Sequence, residues 1–222
     1  MTGPVTLEGF HCVKHALRFA PDLVEQVRLR DPERARALAD RLAPDVTAAL
    51  VERGVVADVA HHTGVEATGL LPEPDLAVLR RRTAPLVLLD RPRSPGNAGA
   101  VVRVAAAAGA SGVATTGPLD PWHPTVLRGS AGLHYALPVL HLSPHDLAPD
   151  DLPAGPYAVL DADGDPDGVL PPDAVLVVGT ERDGVGAELR ERADVVLALP
   201  MRPGVSSLNL ATATAAALYR RR

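Results

Sequence analysis

Short, mostly apolar runs recur along the second part of the chain, and they constrain its fold more than any other feature. Helical and loop segments separate these runs, which occupy residues 86–90, 112–116, 136–142, 157–161, 174–179 and 194–200. Strands that are covered by helices on both faces have this character, because neither face needs polar side chains. The pattern predicts an α/β domain with a mostly parallel sheet over residues 85–222.

The first part of the chain has a different pattern of elements. Apolar periodicity predicts a helix at 7–20, a strand at 23–30, a helical stretch at 32–53 that breaks near Pro44 and Gly54, and a strand at 65–71. Residues 72–85 have the proline and charge content of a connector. We therefore expect a small α/β domain at 1–78, a linker at 79–84 and the larger domain at 85–222.

Charge and cysteine content narrow the classes of function. The formal net charge is −5, and neither part of the chain has an excess of basic residues. A nucleic-acid partner would have to be held by local clusters such as Arg91 with Arg93, which otherwise are ordinary solvated charges. Cys12 is the only cysteine, so an internal disulfide and a cysteine-rich metal site are excluded.

The remaining composition favours a cytoplasmic protein. The N-terminal residues have neither a basic segment followed by an apolar one nor a run long enough to span a bilayer, so we expect no membrane partner. The eight histidines lack the spacing of metal ligands, and we expect no metal site. The aspartate-rich segment 161–168 has Pro166 where a calcium loop needs glycine, and it is interpreted as an exposed turn.

An arginine stands in the middle of an Ala- and Val-rich helix that follows the loop at 91–96. The loop offers Gly96 and Gly99 but not the G-x-G-x-x-G of a dinucleotide fingerprint. It also lacks the lysine of a phosphate-binding P-loop, because Lys14 is the only lysine in the chain. Helical geometry puts Arg103 over Gly99, which predicts an open path for the guanidinium back to Asn97 and a shared ligand. The alternative is an arginine that extends from a buried helix to solvent.

Three segments together resemble a known family. PGNAGAVVR (95–103), VVGTERDGVGAEL (177–189) and LALPMRPGVSSLNLATATAAALY (197–219) occur in this order. They are similar to the N-x-G-x-x-x-R, G-x-E-x-x-G and P-M…S-L-N motif regions of the SpoU/TrmH branch of the SPOUT RNA methyltransferases. The resemblance covers nearly all of residues 85–222, and a weaker one links the N-terminal part to the family's substrate-recognition domain.

The resemblance implies a fold and a cofactor. The catalytic domain would thread its C-terminal segment into a deep trefoil knot, which is rare among proteins. S-adenosyl-L-methionine would bind in this knot against Gly179, Leu199, Met201 and Leu208. Ser207 is in addition a natural N-cap for the last helix, whose first amides are available to polar cofactor atoms.

The reaction implied is methyl transfer to a ribose 2′-hydroxyl of structured RNA, either rRNA or tRNA. Arg103 would stabilise the developing oxyanion and hold a phosphate, because a guanidinium normally keeps its proton. Asn97 would orient the hydroxyl or the arginine, and Asn209 would fix the pocket. Glu181 would anchor the arginine or its loop, while Glu181, Ser207 or water would assist removal of the proton.

The resemblance also bears on partners. Arg91, Arg93 and Arg128 are candidate RNA contacts. The last helix has small residues that permit close helix packing, and dimerisation is usual in the family, so we expect a homodimer with RNA across both subunits. Two positions depart from the family pattern, with Pro203 in place of a common glycine and Ala211 in place of a frequent serine. A knotted RNA-binding or ribosome-associated module without catalysis is the alternative function.

Overall fold

The computed structural model describes residues 3–142, 153–180, 183–205 and 207–220, and within them the chain forms two sheets. The first sheet has the spatial order β1-β4-β2-β3, built from β1 (Pro4–Glu8), β2 (Val24–Leu29), β3 (Gly54–Val56) and β4 (Val65–Leu70). Its helices are α1 (Phe10–Phe19), α2 (Pro32–Leu42) and α3 (Thr47–Glu52), with short 3₁₀ turns at Pro21–Leu23 and Pro44–Val46. This part of the chain is the small α/β unit that the sequence predicts.

The second sheet contains the six apolar runs. Its strands are β5 (Leu86–Leu89), β6 (Gly112–Thr115), β7 (Val139–His141), β8 (Tyr157–Asp165), β9 (Val175–Val178) and β10 (Val195–Leu197), in the order β10-β8-β9-β5-β6-β7. Its helices are α4 (Pro95–Ala108), α5 (Pro124–Gly129), α6 (Ala187–Glu191) and α7 (Leu210–Arg220). Every pair of neighbouring strands runs parallel, which confirms the predicted fold class.

The central strands of the second sheet are covered on both faces. All four residues of β5 are buried, and they alternate between two apolar clusters. Val87 and Leu89 pack with residues of α4 and α7, while Leu86 and Leu88 pack in the cluster on the opposite face. This two-sided burial explains why the run lacks the polar alternation of a half-exposed strand.

The structure corrects the start of the first predicted helix. Residues 7 and 8 belong to β1, and the helix begins only at Phe10. Gly9 between them has a φ of 87°, a conformation that disfavours residues with a side chain and separates the strand from the helix. Leu7 thus belongs to the sheet, whereas its helical periodicity had assigned it to the helix.

The helical stretch predicted at 32–53 is two helices. α2 ends before Pro44, which cannot donate a backbone hydrogen bond, and α3 follows a 3₁₀ turn. Gly54 ends the helical region as predicted, but it also begins β3, which the sequence pattern did not indicate.

The two parts of the chain pack closely through α1 and α5. Gly132 has a φ of 76°, and a Cβ atom there would lie 2.6 Å from the Cys12 carbonyl oxygen. The Cys12 thiol donates to the Leu127 carbonyl at 3.5 Å, and burial is the main reason that its pKa is raised to about 12. Val78 in the predicted connector is buried against the second sheet. The domain boundaries at 78 and 84 stay a prediction.

No helix of the described ranges is both long and apolar enough to cross a membrane.

Candidate active site

A cleft of about 240 Å³ opens at the carboxyl end of β9, next to residues 160–162, where β8 stops pairing with β9. Ligands of open α/β sheets bind at this edge, where the loops after the strands converge. Five residues singled out from the sequence line it together, namely Gly179, Leu199, Met201, Ser207 and Leu208. The structure thus brings the four predicted cofactor residues and one predicted catalytic residue to one place, although their roles stay predictions.

A tight turn after β9 forms one wall of the cleft. The amides of Thr180 and Gly184 each donate to the other residue's carbonyl at 3.1 Å. A Cβ atom at Gly179 would lie 2.0 Å from the Gly184 carbonyl carbon, so a side chain cannot fit between the two backbones. Gly184 itself has a φ of 63°. Glu181, a predicted catalytic residue, lies outside the described residues.

A buried carboxylate connects the loops beside this turn. Asp90 directly follows β5 and is only 4% exposed. Its side chain accepts hydrogen bonds from the Gly186 amide at 2.7 Å, from the Thr116 hydroxyl at 3.1 Å and from the Arg91 Nε at 3.0 Å. A buried charge is tolerated only with such partners. Asp90 therefore holds three loops of the carboxyl edge in register.

The starts of α4 and α7 meet next to the cleft. The Asn209 Nδ2 donates to the Asn97 Oδ1 at 3.2 Å, so these two predicted catalytic residues are in contact. The Asn209 Oδ1 also accepts from the Ala211 amide at 3.0 Å, which makes Asn209 the N-cap of α7. The prediction that Ser207 is the N-cap is wrong, because the helix begins two residues later than the sequence suggested.

Arg103 is not among the residues that line the cleft. It lies on the exposed side of α4, about a third of a turn around the helix from Asn97. The predicted open path over Gly99 is wrong, because a Cβ atom there would lie 2.3 Å from the Val126 carbonyl oxygen of α5. The glycine lets two helices approach and leaves no channel for the guanidinium.

Arg103 lies near α1 of the first part of the chain. Burial lowers the pKa of His11, and the charges of Lys14 and Arg103 lower it further. Burial likewise lowers the pKa of Lys14, with smaller contributions from Arg18 and Arg103. Positive charges from both parts of the chain are thus collected on this surface.

The three arginines that the sequence proposes as RNA contacts each form an ion pair. The pairs are Arg91 with Asp90 at 3.0 Å, Arg93 with Asp183 at 2.7 Å, and Arg128 with Glu8 at 3.1 Å. All three guanidinium groups are more than half exposed, and ion pairs of exposed groups contribute little. A phosphate can therefore compete for Arg93 and Arg128, whereas Arg91 also balances the buried Asp90 carboxylate. The contact of all three with RNA stays a prediction.

Two carboxylates of the site were missed from the sequence. Asp90 was considered only as the end of a strand. An acidic residue directly after an apolar strand, at the carboxyl edge of a parallel sheet, indicates a carboxylate of the site. The interpretation of 161–168 as an exposed turn is correct only for its end, because a turn lies at 166–167 while β8 extends to Asp165 and Asp161 lines the cleft. Among the departures from the family pattern, Ala211 is buried in the core beside α4, so a hydroxyl there would need a buried partner.

Comparison with known proteins agrees with this architecture. The model of the SpoU rRNA Methylase family matches residues 84–219, and the chain belongs to this family. The 23S rRNA (guanosine(2553)-2′-O)-methyltransferase RlmP of Bacillus subtilis (strain 168) is 30% identical over 230 residues, which cover 98% of this chain and 88% of that protein. The 23S rRNA (guanosine-2′-O-)-methyltransferase RlmB of Pseudomonas aeruginosa is 30% identical over 236 residues, with coverage of 95% and 93%.

Solved structures show the same fold. The crystal structure of the SpoU methyltransferase AviRb from Streptomyces viridochromogenes, in complex with the cofactor AdoMet, superposes with a TM-score of 0.76. It is 26% identical and covers 99% of this chain and 89% of that one. The likeness therefore extends over both sheets.

Proposed function

We propose that this protein transfers a methyl group from S-adenosyl-L-methionine to a ribose 2′-hydroxyl of RNA, with 23S rRNA as the substrate class. The observation that carries the proposal is the single cleft at the carboxyl edge that gathers Gly179, Leu199, Met201, Ser207 and Leu208 from separate motif regions. Membership of the family and the names of the two full-length relatives support the same reaction.

The residues of the cleft fit this cofactor. Leu199, Met201 and Leu208 offer apolar surface to a purine ring, while the backbone of the turn after Gly179 and the Ser207 hydroxyl offer polar partners. The cofactor supplies a methyl group on a positively charged sulfur. The Asn97–Asn209 contact fixes the start of α4 against the start of α7 beside this wall.

Arg103 is assigned to the RNA side of the reaction. Its guanidinium keeps its charge at neutral pH and suits a phosphate or a developing oxyanion better than it suits proton abstraction. In a single chain it is exposed and is not among the residues that line the cleft. We therefore assign it to RNA that is bound at the cleft of a second copy.

The outer surfaces of α4 and α7 support a homodimer. These two helices pack on each other, and both present small residues outward. Ala107, Thr212 and Ala216 are exposed, and the neighbouring Tyr219 is 47% exposed. Small side chains allow close helix approach between subunits, and a C2 pairing would place one subunit's α4 beside its partner's C-terminal segment.

Methyl incorporation tests the reaction. We expect the wild type to label rRNA from radioactive S-adenosylmethionine and Arg103→Ala to lose at least about a hundredfold in rate. The cofactor affinity of this variant, measured by calorimetry, should be unchanged. Arg36→Ala, in an exposed position on α2, is the matched control. Cofactor binding by the wild type without transfer to rRNA or tRNA would instead support the non-catalytic RNA-binding module.

A mixing experiment tests the dimer arrangement. Arg103→Ala and a cleft variant such as Gly179→Val are each expected to be inactive as homodimers. Co-expressed, they should regain about a quarter of the wild-type activity, since half of the random dimers would carry one complete site out of two. Absence of recovery, with dimers present by sedimentation, would show that Arg103 acts within its own chain.

Two further expectations belong to the same proposal. The threading of the C-terminal segment into a trefoil knot is supported by family membership and by the return of α7 onto α4 after β10. A cytoplasmic location is supported by the bacterial rRNA methyltransferases to which the chain is similar.

A further inference from the structure

Asp161 is a charged side chain in a cleft whose other described lining residues are apolar or neutral. It lies on β8, outside all three motif regions, and its side chain is 20% exposed. Among the described residues that line the cleft, it is the one with an ionisable side chain. Its neighbours there include the hydroxyls of Thr180 and Ser207 and the apolar Leu199 and Leu208.

The contacts of Asp161 fix its position and leave acceptor capacity. The Oδ2 accepts from the Arg190 guanidinium on α6, and the Oδ1 accepts from the Asp163 amide at 3.2 Å. Each oxygen of a carboxylate can accept about two hydrogen bonds, so both oxygens retain acceptor capacity toward the cleft. The backbone of β8 and the Asp163 amide hold the group in one orientation before a ligand arrives.

We propose that Asp161 anchors the cofactor by accepting a hydrogen bond from one of its donor groups, either a ribose hydroxyl or the amino-acid ammonium. This inference rests on the proposed function, because it assigns a residue to the cofactor of that reaction. A carboxylate acceptor in a partly desolvated cleft makes a stronger bond than a neutral one, and it also favours a ligand that carries positive charge. None of the three motif regions contributes this group.

A structural role alone would give a different result. The Asp161–Arg190 pair joins side chains that are 20% and 43% exposed, and pairs of this kind contribute little to folding. We therefore expect Asp161→Asn to unfold at nearly the wild-type temperature while it binds the cofactor more weakly.

Calorimetry on the full chain measures the effect directly. Asp161→Asn and Asp161→Ala should bind S-adenosylmethionine and S-adenosylhomocysteine about tenfold to a hundredfold more weakly, the range expected for a charge-assisted hydrogen bond. Asp163→Asn removes the same charge from an exposed position two residues away and should stay within about twofold. Arg190→Gln should also stay within about threefold, because Asp161 keeps its acceptors.

5′-Methylthioadenosine identifies the donor group. This ligand keeps the ribose and lacks the amino-acid part, so an equal loss of its affinity in Asp161→Asn assigns the ribose hydroxyl. An unchanged affinity for it, with S-adenosylhomocysteine weakened, assigns the ammonium. A loss confined to S-adenosylmethionine would reflect only attraction to the sulfonium and would overturn the hydrogen bond.

The controls separate this inference from the proposed function. If the wild type binds none of the three ligands, the proposed function fails. If the wild type binds and Asp161→Ala binds equally well, only the role of Asp161 is wrong. An equal loss in Arg190→Gln would also refute it, since the effect would then come from the ion pair.

Discussion

Gly99 tests how α4 is packed against α5. A Cβ atom at this position would lie 2.3 Å from the Val126 carbonyl oxygen and 2.8 Å from the Gly129 Cα. Both are main-chain atoms, so no rotamer change can relieve the overlap, and α5 would have to move as a unit. Gly96, one turn earlier in the same helix, is the matched control, because its Cβ atom would meet only the Ser94 Oγ at 4.0 Å.

The two substitutions should therefore change stability in opposite directions. In Gly99→Ala, overpacking at the upper end of its usual range costs about 3 kcal/mol, and the better helix propensity of alanine returns up to about 1 kcal/mol. The net loss of about 2 kcal/mol corresponds to a melting temperature lower by about 4–8 °C for a chain of this length. Gly96→Ala keeps only the favourable term and should unfold at the same temperature or slightly higher.

Thermal unfolding followed by circular dichroism, with urea titrations at 25 °C, measures both differences. Equal stability of the two variants would refute the close approach of the two helices. It would also reinstate the sequence-based interpretation, in which Gly99 leaves room for the Arg103 guanidinium. A destabilised Gly99→Ala that nevertheless binds S-adenosylmethionine normally would show that the contact is separate from the cleft.

Three further substitutions probe the carboxyl edge and the buried core. Asp90→Asn replaces a carboxylate that accepts from the Gly186 amide, and we expect about 2 kcal/mol lower stability with weaker cofactor binding; binding unchanged would disprove its hold on the loop. Gly179→Ala forces the turn at Gly184 outward, and calorimetry should find a loss of cofactor affinity larger than the loss of stability explains. Burial lowers the pKa of His134 from 6.5 to about 4, so the unfolded chain takes up a proton that the folded chain excludes. The buried neutral His134 contributes fully to the free energy of unfolding above pH 6.5, and about 3 kcal/mol of this free energy is lost as the pH falls to 4. In urea titrations, His134→Gln should lack this part of the pH dependence of stability.

The second sheet could be predicted from the sequence because its signal is local. Runs such as LVLL at 86–89 and VLVV at 175–178 are apolar at every position, and no helix or half-exposed strand explains them better. The first sheet was harder. Residues 4–8 contain only two apolar side chains, Val5 and Leu7, that gain by burial in the sheet. The strand pairs with β4, about sixty residues away, and a local hydrophobic pattern cannot reveal so distant a partner.

The candidate site divides in the same way. Residues within motif regions, such as Gly179 and Asn97, could be named from the sequence because each region is contiguous. Asp161 could not be named in this way. It reaches the cleft because β8 lies next to β9 in the sheet, and the order of strands cannot be read from a local pattern. Gly99 was identified as significant but given the wrong neighbour, since helical geometry specifies what lies on the same helix and not which helix packs against it.

The composition of α4 follows from the three demands on its surface. Gly99 and small residues let α5 approach on one side, and Asn97 meets Asn209 of α7 on another. Arg103 lies in an exposed position one turn after Gly99, about 40° around the helix from it and about a third of a turn from Asn97. Its charge acts on His11 and Lys14 of the first part of the chain. α4 thus contacts α5 and α7 and also contributes to a positively charged surface. This exposed position allows a long charged side chain in an otherwise small and apolar helix, and the contact of Arg103 with RNA stays a prediction.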